Sequence, residues 1–107
     1  MREMNMKIKT ATSYYARMLG LLGTTIDELD YDALHISPCR SVHTYGMRYP
    51  LDLAYIGGDG IVIGLRRCVE PNQICASPSG TRSVLERPSS HLPWFDLGDH
   101  FSSLVKS

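Results

Sequence analysis

The sequence predicts an α+β fold in which one N-terminal helix accompanies a mostly antiparallel β-sheet that curls into a small barrel. One stripe of apolar residues repeats at helical spacing near the N-terminus, whereas period-two alternation and turns rich in Gly or Pro dominate the rest. With 107 residues, 43% of them hydrophobic, the chain has the length of one domain with a modest core. We therefore expect residues 1–107 to form a single compact domain.

The first two predicted elements are a strand and the helix. Residues 4–9 alternate between apolar and polar side chains, which is typical of a half-buried strand. Thr12 and Ser13 can cap the helix that follows, and Gly20 and Gly23 mark its end. The apolar positions of this helix are spaced by three or four residues and are Ala11, Tyr14, Tyr15, Met18, Leu21 and Leu22.

The remaining predicted elements are strands. Leu51–Ile56 and Ile61–Leu65 flank the turn residues 57–60, which contain three glycines, and this arrangement predicts a β-hairpin. We expect residues 39–65 to form the central sheet, with His43 and Asp52 on neighbouring or continuous strands. The other predicted strands are Ala33–Ser37, Ser83–Glu86 and His100–Val105.

Composition excludes several classes of function. Eleven basic residues balance eleven acidic ones, and the densest basic cluster is only the pair Arg66-Arg67, so we expect no nucleic-acid binding. No run of about 18 apolar residues occurs, so we expect no membrane insertion. Three cysteines are too few, and an odd number, for a disulfide scaffold, which favours a cytoplasmic location.

A possible metal site is weakened by local conformation. Cys39, His43 and Met47 are spaced by four residues and all carry ligands for soft metals. On a helix each step would be about 6 Å, but on a strand it is about 13 Å, too far for one ion. Gly46 and Pro50 favour the extended form. We therefore predict no metal site and no cofactor.

Three polar residues lie within apolar β segments, and we expect them to be grouped more closely than their separation in sequence requires. They are His43, Asp52 and Glu86. Protein interiors tolerate such groups only when they are paired or solvated at a cleft. The sequence thus predicts a polar site around these three residues.

Three classes of function are compatible with such a site. The first is a non-enzymatic module that binds an unidentified small molecule or protein partner. The second is a small hydrolase or lyase that uses the same residues as acid and base. The third is a structural accessory domain in which the residues only fix strand register. Because a complete set of nucleophile, base and orienting group is missing, we rank binding first and assign no catalytic residue.

The segment Cys39–Asp52 resembles the signature of the domain-of-unknown-function 192 family. That signature runs His-Thr-aromatic-Gly-Met, a basic residue, an aromatic residue, Pro, an aliphatic residue and Asp. The N-terminal motif Arg17-x-x-Gly20-Leu21-Leu22-Gly23 is also similar to the family, as are Val84–Glu86 and the turn Gly98-Asp99.

This resemblance implies a compact, mainly β domain with a barrel-like sheet beside a helix, and it implies no established activity. Many members of that family are exported behind a signal peptide. The signature positions of this chain are His43, Thr44, Gly46, Met47, Pro50, Asp52 and Glu86. Of these we take the following as candidate binding residues: His43, Thr44, Met47, Asp52 and Glu86.

Overall fold

The computed structural model describes residues 4–13, 20–101 and 105–106, and strands dominate them. The described residues include one short 3-10 turn, Ile26–Glu28. No helix in this part of the chain is long and apolar enough to cross a membrane. The strands are β1 (Met4–Asn5), β2 (Ile8–Ala11), β3 (Ala33–Ile36), β4 (Val42–His43), β5 (Leu51–Gly57), β6 (Val62–Val69), β7 (Ile74–Cys75), β8 (Thr81–Pro88) and β9 (Val105–Lys106).

These strands form one five-stranded sheet and two small ribbons. The order in the large sheet is β2-β3-β8-β5-β6, with β2 and β3 parallel and the other neighbours antiparallel. Strands β1 and β9 form a parallel pair, and β4 and β7 form an antiparallel pair. The expectation of a mostly antiparallel sheet is therefore met by three of the four pairings in the large sheet.

The predicted α+β class with one N-terminal helix is wrong for the residues that the structure describes. Ala11, the first apolar position of the predicted helix, belongs to β2 and pairs with Ile36 of β3. Residues 20–23 form a turn, and residues 14–19 of the predicted helix lie outside the described ranges. Helical spacing alone could not reveal that β3 provides a sheet partner for Ala11.

The predicted barrel is also wrong. Strands β2 and β6 are the two edges of the large sheet, and in the described residues no pairing joins them. The edge strand β6 contains the exposed residues Arg66, Arg67 and Cys68. Charged side chains are typical of an edge that must not pair.

The predicted hairpin is confirmed, and both of its strands are longer than expected. At the turn, the Gly57 N–H donates to the Ile61 carbonyl at 2.9 Å, and the Gly60 N–H donates to the Gly57 carbonyl at 3.0 Å. Gly60 has a φ of +84°, a conformation that side chains other than glycine rarely adopt. The strands predicted at 33–37 and 83–86 are confirmed as β3 and β8.

The two terminal strands differ from their predictions. The segment predicted as one strand over residues 4–9 is divided between β1 and the first two residues of β2. In the segment 100–105, His100 forms a single bridge with Ile61, residues 102–104 lie outside the described ranges, and Val105 begins β9.

The core lies on both faces of the large sheet, because β5 is buried on both sides. Leu51, Leu53 and Tyr55 contribute to one apolar cluster, while Ala54 and Ile56 contribute to another. The second cluster also contains Trp94 and Phe95, from the segment after β8. Burial on both faces explains why β5 is almost continuously apolar.

Residues 39–65 were predicted to form the central sheet, and only the part from Leu51 onward lies in it. Strands β5 and β6 are in the large sheet, but Val42–His43 pairs with β7 in a separate ribbon. His43 and Asp52 are therefore not on neighbouring strands, and that prediction is wrong. No helix is present over residues 39–47, in agreement with the extended conformation predicted there.

Candidate functional site

Glu86 and Asp52 lie on adjacent strands but on opposite faces of the sheet. In the register of β5 and β8, Asp52 is opposite Arg87, and Leu53 is opposite Glu86. Successive side chains of a strand point to opposite faces. An offset of one residue therefore places Asp52 with Arg87 on one face and Glu86 on the other.

Asp52 is fully buried and surrounded by hydrogen-bond donors. The Cys68 N–H and the Ser89 hydroxyl both donate to Oδ1 at 3.0 Å, and the Arg87 Nε donates to Oδ2 at 3.0 Å. The Ser90 N–H donates to Oδ2 at 3.4 Å. Burial alone raises the pKa of Asp52, but these hydrogen bonds outweigh it and hold the pKa below its usual value. The carboxylate is charged and saturated.

Arg87, the partner of Asp52, is also saturated. Its Nη1 donates to the Pro93 carbonyl and its Nη2 to the Leu92 carbonyl, both at 2.9 Å. The guanidinium lies 4.3 Å from the centre of the Trp94 ring. These hydrogen bonds hold residues 89–94 against the sheet. The geometry is therefore that of a carboxylate that stabilises the fold.

Glu86 is as buried as Asp52 but has far fewer partners. Its side chain is 3% exposed, and Oε1 accepts one hydrogen bond from the Leu21 N–H at 3.1 Å. Within the described residues no ion pair and no second donor reaches this carboxyl. Burial raises the pKa of Glu86 to about 7, against a smaller opposing effect of the Leu21 hydrogen bond.

Glu86 lines a cleft of about 200 Å³ whose other walls are mainly apolar. His43 and Met47 also line this cleft, so the structure brings three of the five candidate residues together. Asp52 and Thr44 are not among the lining residues. The lining consists of Gly20, Leu21, Leu22, Ile36, Cys39, Ser41, Val42, His43, Tyr45, Met47 and Glu86.

The cleft has a closed end and an open end. Glu86, Leu21 and Ile36 are buried, whereas His43 is exposed and Tyr45 is 48% exposed. The rings of His43 and Tyr45 lie with their centres 5.4 Å apart. These two exposed rings mark the open end of the cleft, and the buried Glu86 carboxyl marks its closed end.

Thr44 is buried beside the cleft, and its hydrogen bonds are made to the backbone of a neighbouring loop. Its hydroxyl donates to the Glu70 carbonyl at 2.8 Å and accepts from the Gln73 N–H at 2.8 Å. Its backbone N–H donates to the Gln73 carbonyl, and its carbonyl accepts from the Asn72 N–H. Thr44 thus anchors the loop over residues 70–73.

Sequence reasoning missed the contribution of the turn at residues 20–22. The available signal was Gly20, which has a φ of +51° and lies so close to Glu86 that an added Cβ would be 2.9 Å from Oε1. This close approach lets the Leu21 N–H reach the carboxyl.

The alternation of Ser41, His43, Tyr45 and Met47 was visible in the sequence, and all four residues line the cleft.

The same cleft is bordered by the three soft-metal ligands Cys39, His43 and Met47. The strand spacing that argued against a joint position does not apply, because β4 ends at His43 and Gly46 turns the chain with a φ of +77°. The described residues contain no group of three His, Cys, Asp or Glu side chains that could hold a metal ion. The absence of a metal site stays a prediction.

Comparison with protein families matches residues 1–96 to the DUF192 family, described as "Uncharacterized ACR". The chain belongs to this family. The resemblance predicted from the segment Cys39–Asp52 is thereby confirmed, and the family brings no established activity with it. No curated protein matches the chain.

Two solved structures share the fold. One is a protein of unknown function from Novosphingobium aromaticivorans DSM 12444, with 21% identity and a TM-score of 0.66. The other, from Sinorhizobium meliloti 1021, is described as a candidate transcription regulator and has 19% identity and a TM-score of 0.65. Each match covers 77% of this chain, but only 62% of the first protein and 67% of the second. At these identities the likeness concerns the fold alone.

Proposed function

We propose that this protein is a non-enzymatic binding module and that the cleft between His43 and Glu86 holds its ligand. The observation that supports this proposal is a buried carboxyl with spare hydrogen-bonding capacity at the closed end of an apolar cleft. A few polar groups within apolar walls are typical of small-molecule sites. A volume of about 200 Å³ is below the usual range for drug-sized ligands, so the ligand is a small metabolite or a single side chain.

A second groove, of about 520 Å³, offers less to a polar ligand. Its charged lining residues are Arg87 and Asp32. Arg87 is saturated as described above, and Asp32, which accepts a hydrogen bond from the Lys7 N–H at 2.7 Å, is exposed to solvent. A ligand gains most from a polar group that is buried and whose hydrogen bonds are incomplete, which favours the smaller cleft.

The alternative of an acid–base enzyme requires His43, Asp52 and Glu86 at one site, and Asp52 does not lie with the other two. Asp52 is charged, saturated and on the other face of the sheet, so it cannot exchange a proton with a substrate that lies beside Glu86. The structural alternative accounts for Asp52 and Thr44. It leaves unexplained a buried Glu86 to which the described residues provide a single hydrogen bond.

A fragment-binding experiment tests the proposal. Neutral, cationic and anionic fragments of about four to ten non-hydrogen atoms are added to the intact protein, and the NMR signals of the Met47 methyl group and the His43 ring are followed. We expect saturable shifts at both residues, weakened by His43→Ala and unchanged by His91→Ala, since the exposed His91 lines neither cavity. If no fragment shifts the Met47 signal, the cleft is not a binding site.

A further inference from the structure

The two buried carboxylates of this protein provide an internal comparison. Asp52 has four hydrogen bonds, from two side chains and two backbone N–H groups, and Arg67 adds a contact of 3.2 Å. Among the described residues, Glu86 has one hydrogen bond, from the Leu21 N–H. The interior of this fold can therefore saturate a carboxylate, and the described residues around Glu86 do not.

The cleft also has a marked imbalance of charge. Among its described lining residues there is one carboxyl, Glu86, and neither a lysine nor an arginine. A buried carboxylate without a cation is costly, and a cation is the partner that best offsets this cost. The described lining provides no such cation, and a ligand can bring one.

The rest of the cleft restricts the form of that ligand. Four of the residues that line the cleft with Glu86 are buried and apolar: Leu21, Ile36, Val42 and Met47. These side chains can pack against a hydrocarbon chain but cannot solvate a charge. At the opening, the rings of His43 and Tyr45 can contact the ligand as it enters.

We infer that the ligand of this cleft is a primary amine on a short hydrocarbon stem, bound as its ammonium ion with the nitrogen at the Glu86 carboxylate. This inference rests on the proposed function of the cleft. An ammonium group has three donors, which suits the unused lone pairs of Glu86. A free amine and a lysine side chain of a partner protein share this chemistry.

The inference predicts a defined pH dependence. Burial raises the pKa of Glu86 to about 7, so the carboxyl is mostly protonated at pH 6 and mostly ionised at pH 8. An alkylammonium ion stays charged over this range, because its pKa is near 10. Ionisation of Glu86 should therefore raise amine affinity about ten-fold between pH 6 and pH 8. A ligand that accepts a hydrogen bond from protonated Glu86 would show the opposite trend. The other titratable groups that interact with Glu86 or line the cleft are Tyr31, Tyr49, Cys75, Cys39, Tyr45 and His43. Because the imidazole of His43 can also carry a charge, the same measurement on His43→Ala separates its effect from that of Glu86.

The experiment compares n-butylamine with its neutral analogue n-butanol on the intact protein, followed by the Met47 methyl signal. At pH 8 we expect the amine to bind at least ten-fold more tightly than the alcohol. Glu86→Gln should abolish this preference, while the matched variant Glu70→Gln, at an exposed position, should preserve it. The pH dependence in the unmodified protein provides the same test if Glu86→Gln fails to fold.

Two outcomes contradict the inference in different ways. If the alcohol binds in the cleft as tightly as the amine, or if amine affinity falls from pH 6 to pH 8, the amine assignment is wrong while the cleft remains a binding site. If neither compound nor any other fragment shifts the Met47 signal, the proposed function itself fails. A lysine blocked at both backbone ends separates the two sources: binding as tight as that of n-butylamine indicates a partner's side chain, and its exclusion indicates a free amine.

Discussion

The replacement Asp52→Ala tests whether Asp52 serves the fold rather than the ligand. It would leave the Arg87 guanidinium, which is 4% exposed, without its carboxylate, although two carbonyl groups would still accept from its terminal nitrogens. Breaking a buried ion pair by removing one partner costs about 3–5 kcal/mol. Domains of this size have a free energy of unfolding of about 5–15 kcal/mol, so we expect a variant that folds but is severely destabilised.

The same carboxylate contacts a second arginine, which provides a matched control. Arg67 lies 3.2 Å from Oδ1 of Asp52, but its side chain is 51% exposed. Exposed ion pairs contribute about 0–1 kcal/mol because solvent screens them. Arg67→Ala should therefore cost less than about 1 kcal/mol, whereas Arg87→Ala should cost several times more.

Urea denaturation followed by fluorescence measures these differences well. Trp94 is the only tryptophan in the sequence and packs over the Arg87 guanidinium, so its emission reports on this network. Asp52→Ala should also lower the Tm by at least about 12 °C, at about 4 °C for each kcal/mol. The double variant Asp52→Ala/Arg87→Met should lower the free energy of unfolding by less than the sum of the decreases that Asp52→Ala and Arg87→Met each cause alone. If Asp52→Ala lowers the free energy of unfolding by no more than Arg67→Ala does, this reasoning is refuted.

Four further outcomes are expected. His43→Ala should change the free energy of unfolding by less than about 0.5 kcal/mol in urea titrations, because the side chain is exposed. Thr44→Val should cost about 1–3 kcal/mol in the same assay, because the Gln73 N–H loses its acceptor, whereas Thr44→Ser should be mild. Gly20→Ala should lower the Tm more than Gly23→Ala, because both residues have positive φ but only Gly20 approaches Glu86. Since the folded-state pKa of Glu86 is raised from 4.5 to about 7, unfolding titrations should show stability falling by roughly 3 kcal/mol from pH 4.5 to pH 7 relative to Glu86→Gln.

The sequence predicted those parts of the fold whose signals are local. The hairpin of β5 and β6 follows from two apolar segments around a glycine-rich turn, and it is present with that turn. The N-terminal helix was a prediction from spacing alone, and strand pairing of Ala11 with Ile36 replaced its first residue. Barrel closure could not be predicted, because it depends on whether β2 and β6 meet, and neither strand contains a signal for that partner.

The candidate site was predicted in part for a similar reason. Each polar residue within an apolar strand was recognised as exceptional, and His43, Met47 and Glu86 do line one cleft. What the sequence could not provide was the register that places Asp52 opposite Arg87 and Glu86 opposite Leu53. A shift of one residue would move each side chain to the other face of the sheet.

The opposite pKa directions of Asp52 and Glu86 show what separates a structural carboxylate from one that can bind. Burial raises both pKa values, so burial alone cannot distinguish the two residues. The number of donors does, because Asp52 accepts four hydrogen bonds whereas Glu86 accepts one. A group whose interactions are complete gains little from a ligand, whereas Glu86 accepts a single hydrogen bond from the described residues. In the site that we propose, a cationic ligand would recover part of the cost of burying Glu86, reduced by the cost of removing water from the cation itself.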